Sequence, residues 1–387
     1  MAVDNGVAAI PPGVPSAGNR GREVVYYMAI ERIPGVGSTL AKRLIAYCGS
    51  AEAVFREKRS ILQKIPGIGM MIAQEVAGQK VLSRAEEEYA FLKKHGYRVL
   101  CYTDDDYPGR LKQCEDGPVA LFVAGTLDFN QPKVLSIVGT RHATPYGVKW
   151  CEKLLAQMAE SGHSPVIVSG LAYGIDICAH RAAVQYQLPT VAVMATGLDK
   201  VYPTLHYSTA MKIIEEGGAW VTDFFSKTVP ERVNFLRRNR IIAGLSDATL
   251  VVESGAKGGA LITADLAFSY NRDVLALPGR VTDDYSRGCN QLIRSTKAAL
   301  VETLSDIEYA LNWERGQPTK EKQLTLFPQL TADEQLIVDN LKNKTVETID
   351  VLCRETRMQM ANLSVVLFSL EMKGLVRTLP GKQYALI

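Results

Sequence analysis

NFLRRNRIIAGLSDATLVVESGAKGGALITADLAFSYNRDVLALPG, residues 234–279, decides the fold. A helix beginning near Asn234 carries Phe235, Arg237, Arg238, Asn239 and Arg240 close to its start and leads into the apolar run ATLVVES (248–254). A Gly-rich turn holding Lys257, Gly258 and Gly259 then opens a second helix, and DVLALPG (273–279) closes the stretch as another apolar run. Short apolar runs joined through helical segments read as buried parallel strands with crossover helices. Arginines and bare glycine backbone at the helix starts suit an anion, and no catalytic acid, base or metal ligand stands out among them.

The same alternation extends towards the N-terminus. VLSIVG (134–139), PVIVSG (165–170), TVAVMATG (190–197) and AWVTDF (219–224) are further buried runs, with helical patterns such as GVKWCEKLLAQMAESG and AHRAAVQYQ between them. Six strands with helical crossovers predict an α/β fold with a Rossmann-like, doubly wound, mostly parallel sheet, whose ligands sit beyond the carboxyl ends of the strands. Two loops there are suited to phosphate. GTRHATPYG (139–147) offers Gly139 for close approach and Arg141 as a planar fork, and SGLAYGIDICAH (169–180) brings Ser169 and Gly170 ahead of a second helix start. Asp176 falls in the first turn of that helix, where a carboxylate reads as a cap or dipole partner, and His180 reads as a packing residue. Neither GxGxxG nor GxxxxGK[ST] occurs, which argues against dinucleotide and P-loop chemistry.

Outside this region the chain changes character. IPGVGSTLA (33–41) recurs as IPGIGMMIA (65–73), an internal repeat in which Ile-Pro stops one helix and Gly-x-Gly turns into the next. This predicts a helix-hairpin-helix (SAM-like) module with Gly35, Gly37, Gly67 and Gly69 as candidate duplex or phosphate contacts. Residues 20–80 hold ten Lys/Arg against five Glu. At the other end, TADEQLIVDNLK, TIDVLCRETR and QMANLSVVLFSLEMKGL followed by VRTLP and QYALI describe three helices and a small hairpin, the pattern of a winged helix. Residues 331–387 balance seven basic against seven acidic side chains, which favours protein contact or packing over DNA readout there. The predicted division is a disordered tail (1–20), the helix-hairpin-helix module (21–83), the Rossmann-like domain (84–311), a polar linker (312–329) and the winged helix (330–387).

Net charge is only +3, so any anion site must come from local clustering. Seven scattered cysteines without CxxC spacing, five dispersed histidines and the lack of a basic-then-apolar leader suit a cytoplasmic protein with reduced thiols, no metal and no cofactor. No apolar run is long enough to span a membrane.

In this order, SIVGTRHATPYG, VSGLAYGIDICAH, NFLRRNRIIAGLSDATLVVES, GGALITADLA, DVLALPG and GCNQLIR resemble the signature of DNA-processing protein A, the DprA/Smf family of bacterial transformation and recombination proteins. YTDDDYPGRLKQCEDGPVALFVAG (102–125) resembles the lead-in of that family's core. The resemblance implies a non-enzymatic protein that binds single-stranded DNA without sequence preference and protects it. It also implies homodimerisation through the Rossmann-like domain, loading of the RecA recombinase, and single-strand binding protein as a further partner. Carried over by motif, Gly139, Arg141, Ser169, Gly170, Arg232, Phe235, Arg238, Asn239, Arg240, Lys257, Gly258 and Gly259 line the nucleic-acid groove. Here AKGGALITA has a glycine for the family's usual serine, and Tyr173 stands where an arginine is common. The alternative is an enzyme resembling the nucleotide phosphoribohydrolases, whose PGGxGTxxE loop is replaced by GGALITAD at residues 258–265.

Overall fold

The computed structural model describes residues 20–313, 330–342, 347–379 and 383–386. The expected tail, apart from Arg20, and most of the expected linker lie outside these residues. Residues 20–313 belong to one compact unit and those from 330 onward to a second.

In the first unit six helices come first: α1 (Arg20–Ile30), α2 (Ser38–Cys48), α3 (Ala51–Arg56), α4 (Arg59–Leu62), α5 (Met70–Gly78) and α6 (Val81–Lys94). The internal repeat is reproduced bond for bond. The Val36 amide donates to the Ile33 carbonyl at 2.9 Å and the Ile68 amide to the Ile65 carbonyl at 3.0 Å, and α2 and α5 both begin after an exposed glycine without a side-chain cap. Gly35 and Gly67 take φ of +82° and +86°, a left-handed conformation that a Cβ would strain.

The sheet follows: β1 (Arg98–Cys101), α7 (Gly109–Lys112), β2 (Ala120–Gly125), β3 (Val134–Val138), α8 (Pro145–Glu160), β4 (Val166–Ser169), α9 (Ile175–Gln185), β5 (Thr190–Val193), α10 (Tyr207–Glu215), β6 (Ala219–Thr222), α11 (Arg232–Leu245), β7 (Ala248–Val251), α12 (Gly259–Ser269), β8 (Asp273–Ala276), α13 (Arg287–Arg294), β9 (Ala299–Leu300) and α14 (Leu304–Ala310). Strand order is β1-β2-β6-β5-β4-β3-β7-β8-β9, with the β1–β2 and β2–β6 pairings antiparallel and every other pairing parallel. The six expected strands are β3 to β8. The short β9 and the antiparallel β1 and β2 are additions: ALFVAG at β2 is an apolar run within the segment that resembles the family's lead-in.

Strand residues alternate between two cores. Val134, Val138, Val166 and Val168 pack with Ile241, Ile242 and Leu245 of α11 and with Ala260 and Ala264 of α12. Leu135, Ile137 and Ile167 pack on the other face with Leu154 and Leu155 of α8 and Ala179 of α9. The N-terminal helices cover the rest of that second face, where Met28, Leu44 and Val76 share a cluster with Phe122, Trp220 and Ile213. The division drawn at residue 83 is therefore one of sequence pattern and not of packing; it falls inside α6.

The second unit contains α15 (Ala332–Leu341), β10 (Glu347–Thr348), α16 (Ile349–Thr356), α17 (Met360–Met372), β11 (Val376–Leu379) and β12 (Gln383–Leu386), with the strands ordered β10-β12-β11. Ile337, Leu341, Leu352, Leu363, Leu367 and Val376 form its core. Thr331 and Glu334 make a capping box at the start of α15, and the Glu334 carboxylate also takes Lys373 Nζ at 2.6 Å, joining α15 to the end of α17. The hydrogen bond from Lys373 is the largest cause holding its carboxyl down to about 2.

Candidate nucleic-acid interface

The chain runs outward from β3 through β4 and β5 to β6, then returns to place β7 on the other side of β3. That reversal leaves the loops after β3 and β7 diverging at the carboxyl edge, the position at which open α/β sheets bind ligands. Thr140 N donates to the Glu253 carbonyl at 2.7 Å, and Thr144, the N-cap of α8, donates its amide (2.9 Å) and hydroxyl (2.5 Å) to the Glu253 carboxylate. Glu253 is thus a buried brace between the two loops. Gly139 is required because a Cβ there would sit 2.5 Å from Ile175.

The β4–α9 loop is held as firmly. Leu171 is buried with φ of +56°, a strained conformation for a branched side chain, and its carbonyl bonds to Nδ1 of His206 at 2.7 Å. Asp176 is buried, and its carboxylate accepts the amides of Ala172 and Gly170. Burial raises its pKa and the Arg238 guanidinium opposes the rise. The carboxylate braces the loop that leads into its own helix. His180 is fully buried with Nδ1 donating to the Thr190 hydroxyl at 2.8 Å. Burial, reinforced by the Arg238 charge, takes it from 6.5 to about 3, so the ring is neutral at physiological pH.

The structure divides the expected groove residues into an outer and an inner set. Arg141 is exposed and its guanidinium lies 5.3 Å from the centre of the half-buried Phe235 ring. Tyr202, 45% exposed, meets the same ring edge-on at 5.7 Å. Arg232 stands exposed in the first turn of α11, and Lys257, Gly258 and Gly259 are exposed where α12 begins. Gly139 is half-buried beside Arg141.

Ser169, Gly170, Arg238, Asn239 and Arg240 face inward, so their expected contact with a strand becomes one of building the surface. Ser169 is buried and donates to the Ile137 carbonyl at 2.6 Å. Arg238 is 3% exposed and donates to the carbonyls of Gly170 (2.6 Å) and Val193, tying together the ends of β4 and β5. A Cβ on Gly170 would run into that guanidinium. Burial lowers Arg238 to about 10, with Asp176 opposing, which leaves it cationic. Asn239 reaches the Gly259 carbonyl at 3.4 Å. Arg240 pairs with Asp223 at 2.7 Å and donates to Ser38 of α2 at 2.9 Å.

Two participants escaped the sequence reading. Tyr202 sits in VYPTLHY after β5, outside every motif quoted above. Glu253 looked like the end of a strand. On the N-terminal module Gly35, Gly37, Gly67 and Gly69 are all exposed, but Arg32, Lys42 and Arg43 each donate to a backbone carbonyl, of Asp223, Cys114 and Pro66 respectively. The positive balance of that segment is only partly available to a ligand. Among the described residues no cluster of His, Cys, Asp and Glu is arranged for a metal, and no helix is long and apolar enough to cross a membrane.

The family model described as DNA recombination-mediator protein A matches residues 98–312, and that of the DprA winged helix domain matches residues 322–382. Protein Smf of Synechocystis is 31% identical over 94% of this chain and 98% of its own length. Protein Smf of Escherichia coli is 32% identical over 76% and 79%. The X-ray structure of DNA processing protein A from Streptococcus pneumoniae superposes with a TM-score of 0.63 at 30% identity, covering 75% of this chain and 97% of that one. With both modules matched and full-length relatives above the level at which fold and family are shared, this chain belongs to the DNA recombination-mediator protein A (DprA/Smf) family.

Proposed function

We propose that this protein binds single-stranded DNA without sequence preference along the carboxyl edge of its sheet, protects it, and promotes loading of RecA during DNA uptake and homologous recombination. The observation that carries the reading is Arg141 beside Phe235 and Tyr202. A cation for the backbone next to rings that can stack on a base is what single strands offer partners for, whereas a free phosphate needs only the cation. The name of the family supports the role in recombination. Homodimerisation through the α/β unit, a cytoplasmic location and single-strand binding protein as a further partner belong to the same proposal.

The proposal is of a binding protein without turnover. Glu253 beyond the end of β7 and Asp176 in the first turn of α9 are buried, and both are engaged in bracing backbone amides. Asp265, in the segment that would correspond to a phosphoribohydrolase loop, is exposed and paired with Lys297 at 2.8 Å. Nothing in that segment favours the enzymatic alternative.

Fluorescence anisotropy of labelled single-stranded and duplex oligonucleotides across a salt series tests the reading. Single strands are expected to bind more tightly, and log affinity to fall against log salt with a slope of about 0.7 per phosphate neutralised. A flat salt response, or a preference for duplex, contradicts it.

A further inference from the structure

Tyr173, in the loop between β4 and α9, is 45% exposed. The residues that follow it pack backbone to backbone on the Arg141 loop. The Ile175 amide donates to the Thr140 carbonyl at 3.2 Å, and a Cβ on Gly174 would stand 2.1 Å from that oxygen and 2.9 Å from Arg141 Cα. With consecutive Cα atoms about 3.8 Å apart, Tyr173 starts within roughly 8 Å of Arg141 Cα. Arg141 is the residue whose guanidinium lies over Phe235.

The Tyr173 ring is also held in place. It meets the His206 ring edge-on at 4.9 Å. His206 is buried, and its Nδ1 donates to the Leu171 carbonyl at 2.7 Å, so the support is fixed to the same loop as the ring it carries. Tyr202, four positions before His206 on the connection from β5 to α10, meets Phe235 edge-on at 5.7 Å. One connection therefore backs two rings, and Arg141 adjoins both, Phe235 through its guanidinium and the Tyr173 loop through its backbone. Among the described residues the Tyr173 hydroxyl makes no hydrogen bond, whereas the hydroxyl of Tyr146 in the neighbouring loop donates to the Pro278 carbonyl at 3.0 Å.

We infer that Tyr173 is a second base platform of this interface: one base of a single strand stacks on its ring, another stacks on Phe235, and Arg141 takes a phosphate between them. A cation adjoined by two rings matches a strand in which phosphates alternate with unpaired bases, while free phosphate uses only the cation. A ring already fixed by its support loses little freedom on binding. Tyr173 takes this role only if single strands lie along the carboxyl edge as proposed above.

The test measures binding of fluorescein-labelled oligo(dT), and of the same strand made fully abasic, to full-length protein at low salt. Tyr173→Leu should weaken oligo(dT) at least about fivefold and leave the abasic strand unchanged, because stacking needs a base. Tyr173→Phe should bind oligo(dT) as the parent does. Tyr173→Trp should also bind, with an emission quenched by oligo(dT) beyond any quenching seen in the parent and not by the abasic strand. Unchanged affinity of Tyr173→Leu for oligo(dT), an equal loss on both strands, a loss in Tyr173→Phe, or no added quenching in Tyr173→Trp would overturn the inference. Arg141→Ala, measured alongside, separates the two levels. If it weakens both strands while Tyr173→Leu changes nothing, only the second platform falls; if neither variant weakens oligo(dT), the carboxyl-edge site falls and Tyr173 with it.

Discussion

Arg141 and Arg238 were expected to share one task, and their surroundings give them different ones. Arg141 stands in solvent over an aromatic ring, so Arg141→Ala should weaken single-stranded DNA by about 1.5 to 3 kcal/mol, the worth of a charge-assisted bond, at unchanged melting temperature. Arg238 holds two strand ends through their carbonyls. Arg238→Met should therefore cost stability, about 1 to 3 kcal/mol for each buried acceptor left unpaired, measured by chemical denaturation. A loss of affinity at full stability would place Arg238 on the strand instead. The difference was not legible because the inward stripe of α11 runs Asn234, Arg238, Ile241, Ile242, Leu245: the helical period is present, but its first two members are polar and read as surface. Arg141, on a loop, was legible. Phe235→Ala should weaken DNA by about 1 to 3 kcal/mol per stacked base while sparing pyrophosphate, and Phe235→Trp should keep most of the binding. His180 supplies a pH signature. Its folded value of about 3 lies below the ordinary 6.5, so the stability it contributes is complete above about pH 6.5 and lost as pH falls towards 3, at up to about 1.4 kcal/mol per pH unit. Replacing it with Gln should flatten that part of the stability profile.

Among the elements, the two hairpins were the easiest to foresee, since Ile-Pro-Gly-x-Gly dictates a helix stop and a left-handed glycine whatever surrounds it. What covers them was not, because packing partners leave no local pattern. The structure seats these helices on the sheet and closes the seam with Arg240, Ser38, Asp223 and the Glu31 carboxylate, which accepts from the Val119 amide at 3.2 Å. Burial raises the pKa of Glu31, with the Arg240 charge opposing. Deleting residues 1–83 would uncover apolar partners of that module in the shared cluster, Phe122 of β2 among them. At about 1.5 to 3 kcal/mol for each large side chain returned to water, the truncated chain should be poorly soluble or melt well below the full chain. A truncation as stable as the parent would show that the shared core contributes little. The parallel strands β3 to β8 were legible as apolar runs between Gly-rich turns. The edge strands were not: β1, RVLC, begins with an arginine and is only half-buried over its first two residues, and β9 is two residues long.

Across the whole molecule a net charge of +3 gives no broad attraction for DNA, so affinity must arise where a few cations and rings converge. The strand order provides that place by reversing at the paired β3 and β7, whose following loops diverge, and the buried carboxylates Glu253 and Asp176 stiffen those loops and the one after β4. The remaining exposed cations on the N-terminal helices are dispersed, which suits them to add affinity without deciding strand preference. Photocross-linking reads the location of the strand directly. A single-stranded oligonucleotide carrying 5-iododeoxyuridine, bound to the full-length protein, irradiated and mapped by mass spectrometry, should yield adducts at Phe235 or Tyr202, and these should disappear in the presence of excess unlabelled single strand. Adducts confined to residues 20–83 or to the winged helix, with Phe235 and Tyr202 unmodified, would contradict binding along the carboxyl edge of the sheet.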